Sequence, residues 1–417
     1  MTQDPHSAAT IAVIGAGPAG LIAAERLAEA GHSVTVHDRL ASPARRFLMA
    51  GRGGLNLTHA EDLETFLTRY GAARAVLEPA IRAFPPEALR AWADGLGAQT
   101  FVGSSHRVFP KAMKASPLLR AWLSRLGGLG VTLLARHRWT GWTDDGALVF
   151  ETPQGAVTRT ADATLLALGG LSWPKLGADP AWPGLIERAG VAVTPIRPAN
   201  CGFVTSWSPV LVERFAGTPL KTVGLSFGSH AARGDVMITA TGIEGVPVYA
   251  LSAVLRETIE AQGAAELLID LRPDTPLERL QERLARPRGH QSVSNFLRKA
   301  AGLSPLAIAV LRDACAQKDG SLPSDASELA HLIKACPLRL TATAGLERAI
   351  SSAGGIALAG LDGNMMLADR PGIFCAGEML DWEAPTGGYL LQASFATGVA
   401  AATGIDRFLQ KKSLMTQ

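Results

Sequence analysis

The chain has 417 residues, of which 47% are hydrophobic and 18% charged, and its net charge is +3. That length and apolar content support two or three domains with a large core and exclude a disordered chain. The near-balanced charge argues against a strongly basic nucleic-acid binder, although a local basic patch fits the same total.

The four cysteines, Cys201, Cys315, Cys336 and Cys375, form no CxxC or CxxxxC pair. No disulfide framework, zinc site or other metal site is expected, and no redox-active cysteine pair. The opening "MTQDPHSAAT" has no basic segment leading into an apolar run, so no signal peptide is expected. No apolar run reaches the ~18–20 residues of a membrane span. The expected setting is cytoplasmic, with no membrane partner.

"IAVIGAGPAGLIAAERLAEAGHSVTVHD" is the most informative stretch. Ile11 to Ile14 reads as a buried strand. Gly15, Gly17 and Gly20 follow in G-x-G-x-x-G spacing, then a helix ending at Gly31, then a strand ending in Asp38. Gly15 permits the tight turn, Gly17 lets backbone approach a pyrophosphate, and Gly20 lets the helix pack on the strand. The helix N-terminus receives phosphates, and Asp38 accepts from a ribose. A lone glycine motif is weak, but here the whole strand–turn–helix–strand–acid context is present. The stretch predicts a dinucleotide site and leaves open which dinucleotide.

"SPARRFLMAGRGGLNLTH" comes next, with Arg45 and Arg46 before Gly51, Gly53, Gly54, Asn56 and Thr58. It reads either as a basic surface loop or as a second backbone approach to the cofactor, with an arginine near the pyrophosphate. A helix is predicted over 116–126. "GVTLLARHRWTGW" reads as a strand that would place the Trp139 backbone beside an adenine. A hairpin then leads into a buried strand that stops at Gly169 and Gly170, either to admit a ligand or as an ordinary turn.

From about 194 to 338 the texture changes. "GTPLKTVGLSFGS" and "GDVMITATGIEGVPVYALS" read as antiparallel strands, and 276–285, 292–300, 305–316 and 325–334 as helices. No G-x-G-x-x-G recurs, so this is an inserted substrate domain. The predicted organisation is a cofactor domain over 1–193 and 339–417, split by an insert at 194–338 that is β-rich over 194–270 and helical over 271–338.

"AGEMLDWEAPTGGYLLQASFA" then reads as a strand end, two carboxylates, a glycine turn and a helix. As the far half of the cofactor site, it would put Gly377 and Glu378 at a flavin's ribityl or pyrophosphate region. Gly387 and Gly388 would touch the isoalloxazine ring, and the helix opening with Tyr389 and Leu390 would face its electron-accepting edge. Tyr389 is a weak catalytic candidate, read more readily as a packed tyrosine. Asp381 and Glu383 could flank the ring. His106 and Arg107 read as anion ligands or turn caps, and Trp173, Trp182 and Trp207 as pocket lining or core.

These pieces together resemble the YhiN/BaiN-like FAD-dependent flavoproteins over nearly the whole chain. The resemblance rests on "GAGPAG", "RRFLMAGRGGLNLTH", "HRVFP", "LLALGGLSWPKLGADP", "GDVMITATGIEG" and "AGEMLDWEAPTGGYLLQASFATG". The chain departs from the family's "GGGRCN" at Gly54-Leu55, so no role of that cysteine carries over.

The resemblance implies an α/β fold with a glutathione-reductase-type FAD-binding Rossmann-like domain, interrupted by a β-barrel-like and helical insert. It implies FAD held by Gly15, Gly17, Pro18, Ala19, Asp38, Arg46, Asn56, Glu378 and Leu390. With the residue readings, the expected cofactor set also takes in Gly20, Arg39, Arg45, Gly54, Trp139, Gly169, Gly377, Gly387, Gly388 and Tyr389. The implied function is a bacterial FAD-dependent oxidoreductase, linked to NAD(P)H as a transient donor. Its expected substrate is a small, hydrophobic organic molecule such as a steroid-like enone, with no nucleic acid as partner. The alternative is a flavin-binding redox sensor or RNA-associated factor in which FAD is structural.

Overall fold

A computed structural model describes residues 8–51, 53–317 and 320–416. The expectation of no leader rests partly on residues 1–7, which lie outside the described residues, as does Arg52 of the glycine-rich segment. The chain forms two compact units, 1–197 with 351–417, and 198–350. The sequence reading set the insert at 194–338.

The first unit is built on a parallel sheet. Its strands are β1 (Thr10–Ile14), β2 (Ser33–Asp38), β3 (Thr132–Ala135), β4 (Ala163–Leu166) and β5 (Ile373–Cys375), in the order β5-β4-β1-β2-β3. The register is continuous: Ile14 sits opposite His37 on one side and Leu166 on the other, and Leu166 opposite Cys375. β1 and β4 are apolar runs buried on both faces, as a sheet covered by helices requires. Because all five strands run the same way, their carboxyl ends share one edge. In open α/β sheets that edge is where ligands bind.

Helix α1 (Pro18–Glu29) connects β1 to β2 and packs on α2 (Tyr389–Thr416), the 28-residue helix that follows β5. The contact is close because both helices carry small residues there. A Cβ added at Gly398 would lie 2.4 Å from the Ala19 carbonyl oxygen. No helix among the described residues is long and apolar enough to cross a membrane.

Three local readings are corrected. The segment after β2 is not a loop at its basic end: Arg45–Ala50 is a helix. Residues 138–142 do not cross the main sheet. They open a separate antiparallel sheet with Leu148–Thr152 and Gly155–Arg159, in which alternate side chains are buried on one face. The segment "VPVYA", read as strand, is helical over Val246–Ala250, with Pro247 in its first turn where a proline's missing N–H costs nothing. The helices Arg74–Ala83 and Pro86–Asp94 went unread in the sequence, although Leu77, Ala80 and Ile81 mark a buried face of the first.

The second unit carries a seven-stranded antiparallel sheet. Its two outermost strands, Cys336–Leu340 and Ala342–Thr343, are consecutive in the chain, so the sheet curls round on itself in the barrel-like manner expected. Helices Leu277–Leu284, Val293–Ala300, Pro305–Ala316 and Ala326–Lys334 lie between its strands Ala265–Asp270 and Cys336–Leu340, close to the expected spans. Three of these begin on Ser292, Ser304 and Asp325, each accepting an N–H of its first turn.

Candidate functional site

At the carboxyl edge of the parallel sheet, Gly15 donates its N–H to the His37 carbonyl at 2.8 Å, tying the glycine turn to β2. Gly15 adopts φ +108°, and a Cβ there would strike the Ala167 carbonyl oxygen at 2.3 Å. Gly20 is equally excluded from carrying a side chain, since its Cβ would lie 2.0 Å from the Gly15 oxygen. Gly17 differs. Nothing lies within 4 Å of its Cβ position, so open space faces the first turn of α1. The three glycines thus divide, Gly15 and Gly20 barred from a side chain by neighbouring carbonyls and Gly17 leaving clearance in front of the helix's free N–H groups.

Asp38 ends β2 beside this turn. Its Oδ2 accepts the Ala16 N–H and its Oδ1 the Leu40 N–H, both at 2.8 Å. Burial pushes its carboxyl up, and those two N–H groups with Arg39 and Arg46 oppose the shift. Asp38 therefore braces the glycine turn and keeps acceptor capacity on each oxygen for a ribose. Arg39 is turned away, with Nη2 on the Ala178 carbonyl at 3.2 Å. Trp139 is buried on the separate antiparallel sheet, edge-on to Trp142, and its indole N–H has no hydrogen-bond partner among the described residues.

A second group of residues meets β4 and β5 just past their ends. Arg46 donates from Nη1 to the Gly170 carbonyl at 2.9 Å and to Glu378 Oε2 at 3.3 Å. Glu378 Oε1 accepts the Ser352 N–H at 3.2 Å, and Ser352 Oγ accepts the Leu171 N–H at 3.0 Å. A Cβ at Gly169 would lie 2.0 Å from Arg46 Nη2, so the glycine makes room for the guanidinium. Arg45, its neighbour, is exposed. Ser352 is the member of this cluster that the sequence did not flag.

The third group surrounds the start of α2. Gly388 has φ +102°, and its Cβ would press on the Thr58 backbone at 2.5–2.7 Å. Gly388 is therefore required by backbone packing and positive φ, the alternative to a direct ring contact, while a Cβ at Gly387, at φ +138°, would meet the Tyr389 ring at 2.9 Å. Gly54 lies against the Met113 and Phe109 side chains. Asn56 Oδ1 and Thr58 Oγ1 are buried without a hydrogen-bond partner among the described residues. Two buried polar atoms left unpaired beside a cradle of backbone donors fit a polar cofactor that satisfies them. Leu390 is half-buried on the first turn of α2.

Tyr389 is packed and hydrogen-bonded. Its hydroxyl donates to Glu61 Oε1 at 2.5 Å, and its ring stacks on His59 at 5.4 Å. Arg69 donates to both Glu61 oxygens, at 3.2 and 2.7 Å. Burial and the Glu61 carboxylate raise the Tyr389 phenol well above its usual range. Burial pulls Glu61 up, yet Arg69 and Tyr389 together hold it below the ordinary carboxylate range. Neither Glu61 nor Arg69 was singled out in the sequence, where nothing links "HAEDL" to "GGYLL". His106 sits at a hairpin tip with φ +59°, its ring 6.2 Å from His59. Asp381 accepts from Thr194 Oγ1 at 2.6 Å. Trp182 is core, and Trp207 donates to the Gly242 carbonyl within the second unit.

The family model described as "HI0933-like protein Rossmann domain" matches residues 9–404. The chain is 25% identical over 404 residues to the ribosomal RNA dihydrouridine synthase of Escherichia coli K12, covering 94% of this chain and 96% of that one. It is 23% identical over 409 residues to the 3-dehydro-bile acid delta(4,6)-reductase of Clostridium scindens, covering 94% and 97%. Among solved structures it is similar to the 3-ketosteroid-delta4-(5alpha)-dehydrogenase of Rhodococcus jostii, at TM-score 0.50 and 17% identity, covering 96% of each chain. That last likeness concerns the fold.

Proposed function

We propose that this chain, which belongs to the HI0933-like Rossmann family, is an FAD-dependent oxidoreductase that saturates a carbon–carbon double bond conjugated to a carbonyl. The observation that carries the cofactor assignment is the cradle: open space at Gly17 before α1, Asp38 with acceptor capacity beside it, and the unpaired Asn56 and Thr58 oxygens. Asp38 would hold the adenosine ribose, the first turn of α1 the pyrophosphate, and Arg46 and Glu378 the middle of the cofactor. When bound, FAD supplies two-electron chemistry, passing a hydride from a donor to the β-carbon of the substrate while the α-carbon takes a proton.

The substrate class rests on what the relatives act on. A 3-dehydro-bile acid reduced at Δ4,6 and a uridine converted to dihydrouridine share one unit, an alkene conjugated to a carbonyl. The donor in this reading is NADH or NADPH, docking transiently, since the chain carries no second glycine fingerprint.

The test is anaerobic. The purified protein is reduced with NADPH or NADH, then offered a steroid enone, a uridine-containing RNA or the matching saturated compound. Reoxidation of the flavin by an enone or by uridine, but not by the saturated compound, supports the reading and names the substrate arm. Flavin that stays reduced with every conjugated acceptor, yet reoxidises in air, contradicts it and favours a structural or sensing FAD.

A further inference from the structure

The second unit contains a pocket that the flavin reading does not use. Its volume is about 320 Å³, and it lies among helices Pro209–Phe215, Val293–Ala300 and Pro305–Ala316 of that unit. Leu211, Phe215 and Ile308 give it an apolar floor, and Arg214, Arg298 and Arg312 stand round it.

The charge of this pocket is unbalanced. Its one carboxylate, Asp313, is buried, and both its oxygens are taken at 2.7 Å by the Ser208 N–H and hydroxyl. Among the described residues the arginines have only neutral partners. Arg312 Nη2 donates to Ser294 Oγ at 3.0 Å, Arg298 Nη2 donates to Asn295 Oδ1 at 3.2 Å, and Arg214 lies 5.2 Å from the Phe215 ring centroid. The local sequence deepens the imbalance. Residues 283–312 contain Arg283, Arg286, Arg288, Arg298, Lys299 and Arg312 and no Asp or Glu. On the three pocket helices the carboxylates are Glu213 and Asp313, against the cations Arg214, Arg298, Lys299 and Arg312.

We propose that this pocket binds a phosphate group carried on a planar or apolar body, as in a nucleotide. Clustered unpaired cations repel one another, and an anionic ligand relieves that repulsion. Phosphate suits the site better than carboxylate. Three guanidinium forks offer more donors than two carboxylate oxygens accept, whereas a phosphate monoester presents three oxygens and a charge near −2. The apolar floor, with Arg214 over Phe215, receives the ring. The phosphate has two sources, a free nucleotide or the phosphate of a nucleic-acid strand. All of its lining residues belong to the second unit.

The test uses the full-length, flavin-loaded protein. Equilibrium binding of AMP, adenosine, inorganic phosphate and a short 5′-phosphorylated RNA is measured at two salt concentrations. The wild type is compared with the double variant Arg298→Gln/Arg312→Gln and with Arg298→Lys. The proposal expects saturable binding of AMP or the RNA, weakened by salt and by about tenfold or more in the double variant. Arg298→Lys, which keeps the charge and loses the fork, should fall between. Flavin content and melting temperature are expected to be unchanged. Tighter AMP than RNA assigns a free nucleotide, and the reverse assigns a strand. Adenosine binding as well as AMP, no saturable binding of either, or equal binding by folded double variant and wild type would overturn the proposal.

Discussion

Asp38 has two functions on one side chain, and its replacement should separate them. Asp38→Ala removes the acceptor for the Ala16 and Leu40 N–H groups as well as the ribose contact. Each charge-assisted bond contributes about 1.5–3 kcal/mol. The variant should emerge with little FAD and a clearly lower melting temperature, read from the flavin-to-protein ratio after dialysis and a thermal scan. Stoichiometric retention of FAD would remove Asp38 from the cradle. A second buried acid, Glu25, is structural. It is fully buried on α1 and accepts from the Trp92 and Trp122 indoles and from Arg125. Glu25→Ala leaves three donors unpaired and should cost about 3–5 kcal/mol in denaturant unfolding, a loss far above that of a surface site. Tyr389→Phe loses one bond to Glu61 and should cost about 1 kcal/mol while keeping FAD and most turnover. Abolished turnover with FAD in place would instead make the phenol a reacting group.

His37 brings pH into the same region. Burial, with His137 and Arg159 nearby, lowers it from 6.5 to about 4. Its Nδ1 lies 3.3 Å from His137 Nδ1, and its carbonyl holds the Gly15 N–H. The unfolded chain takes up this proton as pH falls through about 6.5, and the folded chain only near 4. The stabilising contribution is therefore complete above pH 6.5 and is lost progressively between there and about 4. It amounts to at most about 3–4 kcal/mol. FAD release and unfolding should advance together over that window, and His37→Asn should flatten the dependence. An unchanged profile in the variant would place the acid sensitivity elsewhere.

At the scale of the element, the strand–turn–helix unit at the N-terminus makes a comparison among its own glycines. Gly20→Ala drives a Cβ into the Gly15 carbonyl and should destabilise the fold itself. Gly17→Ala places its Cβ in open space at φ −85°, where any residue is comfortable, so the apoprotein should melt as the wild type does. That same Cβ occupies the clearance before α1, so FAD affinity should fall. Equal FAD binding by Gly17→Ala and wild type would mean that nothing docks there. Gly388→Ala is predicted to follow Gly20→Ala, because the Thr58 backbone stands in its way.

This unit was legible from sequence because all of its determinants lie within about thirty consecutive residues. The Glu61–Arg69–Tyr389 cluster was not, because Tyr389 lies more than three hundred positions from Glu61 and Arg69 and only the folded chain brings it to them. The basic helix Arg45–Ala50 was hidden by the glycines that follow it, which lower local helix propensity without preventing a short helix that buries Phe47. "VPVYA" was misread because β-branched residues suggest strand, and a first-turn proline reversed that preference.

At the scale of the whole molecule, the net charge of +3 conceals a stretch, 283–312, that carries cations alone. The total charge left a local basic patch open, and only the order of the residues locates one. The fold class, by contrast, was readable end to end, since a split parallel-sheet domain announces itself by its two halves. The most direct measurement of the central claim is made on protein purified in the dark and denatured to release whatever it holds. The account predicts one FAD per chain, with a flavin visible spectrum before denaturation, and reoxidation of the reduced protein by a conjugated enone or uridine. A colourless protein that neither releases FAD nor takes it up on titration would contradict it.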